Sequence, residues 1–442
     1  MTGWRKGAAL FLVLLLLPAL ALGEASLHYQ LTPLGENLLQ VEMDFSGAEG
    51  GLLCYGEGKI TVLSARDGTG APLSWQARSG YVLLEGEEGT VTYQVSLGEL
   101  GKHGSQGFAG ERSFLCSGSQ ALLLPLCLWS VAEEDHSQVG EITLSGLTAG
   151  NLVLTHPTWC DMYSLRKDGL YLGELTPTRL GAFTVYSQQP EALRERLSRI
   201  EQGLEELFGF CPQVILVLLE DQANLFGGSG REVIASSFDP DRERDWELLT
   251  HRLFHAAFDT ACPEYEVHMP GCLWLYEALA VYHEELWQEN PRQAGEEMLA
   301  RLWTRCRDCL DIRPETFRVN PMEEENLTLA QQEFLHYTYA PLLLYDACNG
   351  EQEQVKALLQ AFMTAALEWD SMEQEEQVAL SAWPGDALPL LEGGSMDLSG
   401  LPALGAEEEE QICREYRQEI NTWLKKGGEQ PLESTNNSSF SK

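Results

Sequence analysis

The sequence predicts a multidomain α+β protein, with a β-sandwich-like N-terminal domain followed by a mainly helical domain. Two observations carry this. Between residues 24 and 165, short segments rich in β-branched and aromatic residues recur between Gly, Pro, Asn and Asp turns, whereas from residue 190 onward the apolar positions take on helical spacing. The chain is also long enough, at 442 residues with 44% hydrophobic content, to bury two substantial cores or more.

The first segment, residues 1–23, reads as a cleaved secretory signal. Arg5 and Lys6 precede an apolar run from Ala8 to Leu17, and Ala19, Ala21 and Gly23 supply a small-residue processing site. The expected destination is secreted or envelope-associated, on the extracytoplasmic side. Later apolar runs, over 121–129 and 214–220, are too short to span a bilayer as helices and are expected to be buried strands, so no membrane-spanning segment is expected after the signal.

Residues 24–165 form the β-rich domain. The segments "LHYQLTP", "NLLQVEMDF", "ITVLSA", "YVLLEG", "GTVTYQVSL", "EITLSGL" and "NLVLTH" alternate in part between apolar and polar positions, as strands of a sandwich do.

Residues 166–385 form the second domain. A helix over 190–210 opens with Pro190 at a permitted first-turn position and ends near Gly209. Strands "QVILVLLE" and "EVIASSF" come next, separated by a glycine-rich turn that lacks the dinucleotide fingerprint. A helix over 241–259, capped by Asp239, Asp241 or nearby polar groups, buries Trp246, Leu249, Leu253 and Phe254. Further helices are expected at 274–289, 292–306, 336–348, 351–369 and 371–380. Residues 386–426 are a linker with a last helix over 407–425, and 427–442 read as a disordered tail.

The chain carries 67 acidic and 29 basic residues, a formal net charge of -38. Such a surface repels phosphate backbones and anionic membranes, which argues against nucleic acid as a partner. Eleven scattered cysteines give no four-thiolate zinc pattern; Cys306 and Cys309 read as a local disulfide or as two ordinary cysteines.

The stretch "HRLFHAAFDT" carries the chemistry. On a helix, His251 and His255 lie one turn apart and share a face, so their imidazoles can converge on one ion. Glu277, near the start of the next helix, would complete a set of two histidines and a carboxylate that leaves a zinc position open for water. The same spacing also occurs in ordinary helices, and Glu277 has an alternative place on a charged face with Glu284 and Glu285.

The run from 246 to 288 resembles the zinc helix pair of the gluzincin metallopeptidases, closest to the bacterial glycyl aminopeptidase family and more distantly to the aminopeptidase N family. The resemblance rests on His251, Phe254 and His255, then Trp274, Leu275, Glu277, Ala280 and Tyr282, with Ala278 where the family usually has glycine. It implies a thermolysin-like metallopeptidase domain with a small mixed sheet, and zinc held by His251, His255 and Glu277. It further implies that Tyr337 takes the place of the tyrosine that stabilises the tetrahedral intermediate, and that "FGGSGREVIASS" is the segment holding the substrate's amino end. There Gly227, Gly228 and Ser236 persist, while Gly230 and Arg231 replace the family's glutamate and histidine unless Glu232 is recruited by a one-residue shift. Tyr339 and Ala340 stand where the family has lysine and glycine.

The main departure from the family pattern is Arg252, which occupies the position of the general base. That glutamate takes a proton from the metal-bound water and passes it to the leaving amine. A guanidinium has no acceptor and stays protonated, so it can do neither. Arg252 is expected to turn toward acidic neighbours, with Glu247, Glu232 or, in a metal-free site, Glu277 as candidates. Asp259 is placed to orient His255, and Glu264 and Glu266 lie in the spacer. The sequence thus predicts an exported, non-catalytic metallopeptidase-like protein that binds peptide or protein ligands and retains zinc. The alternatives are an active zinc-dependent aminopeptidase with a substitute base, and a β-rich binding module beside a fossil site.

Overall fold

The computed structural model describes residues 25–35, 38–48, 50–97, 108–109, 114–126, 139–145, 152–153, 169–172, 175–219, 228–229, 233–263, 273–368, 382–383, 395–428 and 431–432. The segment expected to be a signal, the helix expected at 371–380 and most of the tail lie outside the described residues. The chain forms two compact units, one of residues 1–192 and 213–239, the other of residues 193–212 and 240–442. The architecture is multidomain α+β.

In the first unit, a five-stranded sheet runs in the order Val139–Ser145, Ala25–Gly35, Leu38–Ser46, Gly89–Ser96, Lys59–Asp67. A four-stranded sheet runs Leu124–Pro125, Leu52–Tyr55, Tyr81–Leu84, Trp75–Arg78. Period-two alternation buries Leu39, Val41, Met43 and Phe45 from one strand and Val91, Tyr93 and Val95 from another, and these share a core with Leu52, Cys54, Val82 and Leu84 of the second sheet. Side chains of both sheets thus fill one core.

The expected buried strand over 121–129 is cut short. Gly118–Ala121 is a helical turn, and among the described residues only Leu124 and Pro125 pair, with Tyr55 and Cys54. The backbone of Leu123 is served by side chains instead of a ladder: Tyr29 donates its hydroxyl to the Leu123 carbonyl at 2.7 Å, and the Leu123 amide donates to the Tyr93 hydroxyl at 3.0 Å.

The same unit holds a mixed sheet in the order Thr178–Leu180, Phe183–Tyr186, Val214–Leu219, Val233–Ser237, Gly228–Ser229. Its central strand, Val214–Leu219, is a continuous apolar run paired in parallel on both sides, as a strand buried on both faces should be.

The second unit is helical. Helix α1 (Pro190–Phe208) ends at Gly209 in the left-handed region, with φ of 80°. Helix α2 spans Glu243–Ala261, and its N-cap is Arg242, with no side-chain capping bond, in place of the expected aspartates. Glu243 and Asp245 in its first turn compensate by facing the positive end of the helix dipole. Helix α3 (Leu273–Tyr282) is followed by a 3₁₀ turn over Glu284–Trp287, so the helix expected over 274–289 is broken near His283. Then come α4 (Pro291–Ile312), α5 (Leu329–Phe334), α6 (Ala340–Ala347), α7 (Gln352–Leu367) and α8 (Ala406–Lys426). A π-helical turn, Leu335–Tyr339, joins α5 to α6, in a stretch expected to be the start of a plain helix. The core of this unit is built around Trp274, Phe254, Phe258, Phe334 and Phe362. Cys306 and Cys309 are both buried free thiols, and burial pushes the Cys306 thiol up to about 12. No helix among the described residues is long and apolar enough to cross a membrane.

Candidate metal centre

Helix α2 buries the face formed by Trp246, Leu249, Leu253, Phe254, Ala257 and Phe258, which fixes the rotation of the helix and carries His251 and His255 together at its flank. Helix α3 is apolar nearly all round: Trp274, Leu275, Tyr276 and every residue from Ala278 to Val281 are buried. Glu277 is its sole charged residue. A carboxylate in such a helix must find partners where it is held.

It finds both histidines. Glu277 Oε2 lies 3.0 Å from His251 Nε2 and 3.3 Å from His255 Nε2, and the two Nε2 atoms are 2.9 Å apart. These are the sole three residues among those described whose ligand atoms could hold a metal together. Bonds of about 2.0–2.1 Å to zinc place neighbouring atoms of a tetrahedral shell roughly 3.3 Å apart, so two imidazole nitrogens and one carboxylate oxygen in this triangle fit a zinc ion. Their side chains are 11%, 15% and 15% exposed, shielded yet open on one side.

The charges interlock. Burial disfavours imidazolium at His251, but bonds to Glu277 and Glu284 prevail and raise it to about 9. Burial would raise Glu277, but the two imidazoles hold its carboxyl well below the usual carboxylate range.

Outside the triangle, His251 Nδ1 lies 3.0 Å from Glu284 Oε1, and Arg244 bonds Glu284 Oε2 at 3.3 Å and Glu247 at 2.8 Å. A carboxylate on the second ring nitrogen fixes which nitrogen faces the metal and raises the basicity of that ligand. Glu284, expected on a charged face, is buried. It reaches His251 from the 3₁₀ turn that follows α3, so helical spacing from Glu277 does not predict its place. Asp259 reaches His255 through an intermediary: the Tyr276 hydroxyl donates to Asp259 Oδ1 at 2.9 Å, and the Tyr276 ring stacks on His255 with centroids 3.9 Å apart.

Arg252 makes neither the expected ion pair with Glu247, which binds Arg244, nor one with Glu277. Its Nη1 is buried without a hydrogen-bond partner among the described residues. Burial pulls its pKa down, and the charge of Asp245 opposes this in part. Both residues sit on one side of α2, seven positions apart.

Tyr337 comes to the same place, its ring 6.1 Å from that of His251. Burial first, then the Glu277 and Glu333 carboxylates, hold its phenol above the ordinary range, so it is a proton donor at neutral pH. Tyr339 and Ala340 are core residues, with Tyr339 stacked on Phe334. Of the residues expected to hold a substrate's amino end, Gly227 and Glu232 lie outside the described residues, as do Gly230, Arg231, Glu264 and Glu266. Gly228 pairs with Ala235 in the mixed sheet of the other unit, and the Ser236 hydroxyl donates to the Ser237 carbonyl.

Comparison with solved structures shows the fold. The chain superposes on an aminopeptidase N family protein from Idiomarina loihiensis with a TM-score of 0.57 and 14% identity, over 87% of this chain and 78% of that one. An M1 zinc metallopeptidase from Deinococcus radiodurans gives 0.48 and 17% over 87% and 96%, and yeast LTA4 hydrolase gives 0.47 and 11% over 92% and 72%. No protein-family profile and no curated protein matches the chain. At these identities the likeness is one of fold, and the zinc named for the Deinococcus protein belongs to that protein.

Proposed function

We propose that this chain is an exported, non-catalytic metallopeptidase-like protein that binds zinc at His251, His255 and Glu277 and uses the metal and Tyr337 to hold a peptide carbonyl. What carries the reading is the triangle of ligand atoms, 2.9 to 3.3 Å on a side, next to a residue that cannot move a proton. The zinc, when bound, supplies a Lewis acid toward a carbonyl oxygen. The chain's own groups do the rest. Glu284 fixes the tautomer of His251, Tyr276 packs His255 in place, and the protonated Tyr337 phenol donates to the Glu277 carboxylate at the edge of the triangle.

Arg252 supplies no acceptor at any pH at which the protein is folded. General acid-base catalysis is worth about 10²–10⁴-fold, and a site without it is left with binding and polarisation. The export reading rests on the leader-like pattern of residues 1–23.

The test is a pair of measurements on the purified mature chain with added zinc. Metal content and binding of an aminoacyl hydroxamate are expected to be positive and to vanish in His251→Ala, while aminoacyl and peptide reporter substrates stay uncleaved. Turnover that disappears in His251→Ala would overturn the non-catalytic reading.

A further inference from the structure

Two buried polar contacts flank Tyr337, and the proposed metal chemistry uses neither. In the π-helical turn Leu335–Tyr339 every residue but one is buried; the exception is Tyr337, 37% exposed. On one side of it, His336 Nε2 bonds Glu324 Oε1, with both residues inside the core. Glu324 Oε2 accepts the backbone amide of Trp274 at 3.3 Å. That amide is one of the free donors in the first turn of α3, the helix carrying Glu277. On the other side, Thr338 Oγ1 and the Tyr416 hydroxyl of α8 are 2.9 Å apart, both buried, and the Arg305 guanidinium lies over the Tyr416 ring at 5.1 Å.

A buried carboxylate and imidazole are costly to keep unless every partner is met. Here the partners belong to three separate segments: the 3₁₀ turn Pro321–Asn326, the π turn and the start of α3. The network therefore fixes the distance between the backbone that presents Tyr337 and the helix that presents Glu277. A π turn is a costly local geometry, with poorer packing than α-helix, and such turns recur at functional sites.

Resting on the peptide-binding reading above, we infer that His336–Glu324 and Thr338–Tyr416 are positioning pairs that hold the Tyr337 phenol toward Glu277 as a ready-made donor for the carbonyl of a bound peptide. Neither pair touches the ligand. The Thr338–Tyr416 pair reaches the site only through Tyr337, so its removal should cost nothing further once the phenol is gone.

The brace is tested first without metal. In the full chain, dialysed against chelator and labelled at the tyrosine ring carbon bearing oxygen, the Tyr337 resonance is identified by its loss in Tyr337→Phe. Wild type and Glu324→Gln, which retains a hydrogen-bonding amide, are expected to give one narrow, displaced line. In Glu324→Leu the line should move to the position of a solvent-exposed tyrosine or broaden. An unmoved line in Glu324→Leu overturns the proposal. Should that variant fail to fold, Thr338→Val removes the other anchor at nearly constant volume, and the same two outcomes decide.

The second arm uses zinc-loaded protein and leucine hydroxamate. Tyr337→Phe and Thr338→Val should each weaken binding about tenfold, and together by about the same tenfold. Losses that multiply overturn the brace. Absence of hydroxamate binding by the wild type sinks the metal-dependent reading and leaves the metal-free comparison to decide the brace.

Discussion

His251 Nδ1 is bonded to Glu284 at 3.0 Å, so the first histidine of the triangle is gripped at both ring nitrogens, by Glu284 behind and Glu277 in front. Metal ligands held in this way lose affinity when the outer carboxylate is altered, typically about 10–100-fold. Glu284→Gln should therefore weaken zinc binding by about tenfold in a chelator competition. An unchanged dissociation constant would mean that His251 is oriented by packing alone.

Arg252→Glu restores the acceptor that the site lacks. From a silent parent it should raise peptide turnover by at least about 10²-fold over background, the lower end of what a positioned base supplies. The gain should depend on His251. If the variant binds zinc and hydroxamate but stays silent, the missing base is not the whole reason for inactivity, and the segment around residues 227–236 becomes the next suspect.

Arg252→Met keeps the length of the stem and removes the charge. Because Nη1 is buried without a hydrogen-bond partner among the described residues, the guanidinium carries a desolvation cost that the charge of Asp245 offsets only in part. Stability in urea should rise by about 1–3 kcal/mol. A loss of stability would show that Arg252 has an acceptor in the folded chain.

His283 sets an acid limit for the apo protein. Burial lowers its pKa from 6.5 to about 4, and its ring stacks on Phe254 at 5.3 Å. The folded chain thus refuses a proton that the unfolded chain accepts. The contribution is full above pH 6.5 and is lost as pH falls from there toward about 4. In chelator, His283→Phe should flatten the fall in melting temperature across this window, and an identical profile in both proteins would remove His283 as the cause.

The legible parts of this molecule were those written in local spacing. The i,i+4 pair His251 and His255 could be found because one helix sets their geometry, and the change from period two to helical spacing marked the shift from sandwich to helices. Arg252 could be seen to lack the chemistry of a base, yet the acid it was expected to meet is taken: Glu247, five residues before it, pairs with Arg244. The break at His283 was hidden because an unbroken run of apolar and acidic residues continues through it, and no glycine or proline marks the turn. Glu324 and His336 escaped notice for a different reason. They lie twelve residues apart across a 3₁₀ turn, a helix of under two turns and a π turn, and no single periodicity runs through all three.

The wide turn at Leu335–Tyr339 accommodates one residue more than an α-helix would over the same rise. A chain shortened by a single position there could pass smoothly from α5 into α6 as one straight rod, with better hydrogen bonding than it has now. Helices α5 and α6 would keep nearly their present phase, because the wide turn already absorbs the extra residue. The irregularity is therefore a local bulge that pushes one side chain outward. Evolutionary tinkering that tidied it would gain a more regular helix and lose the outward aim of the one phenol it displays.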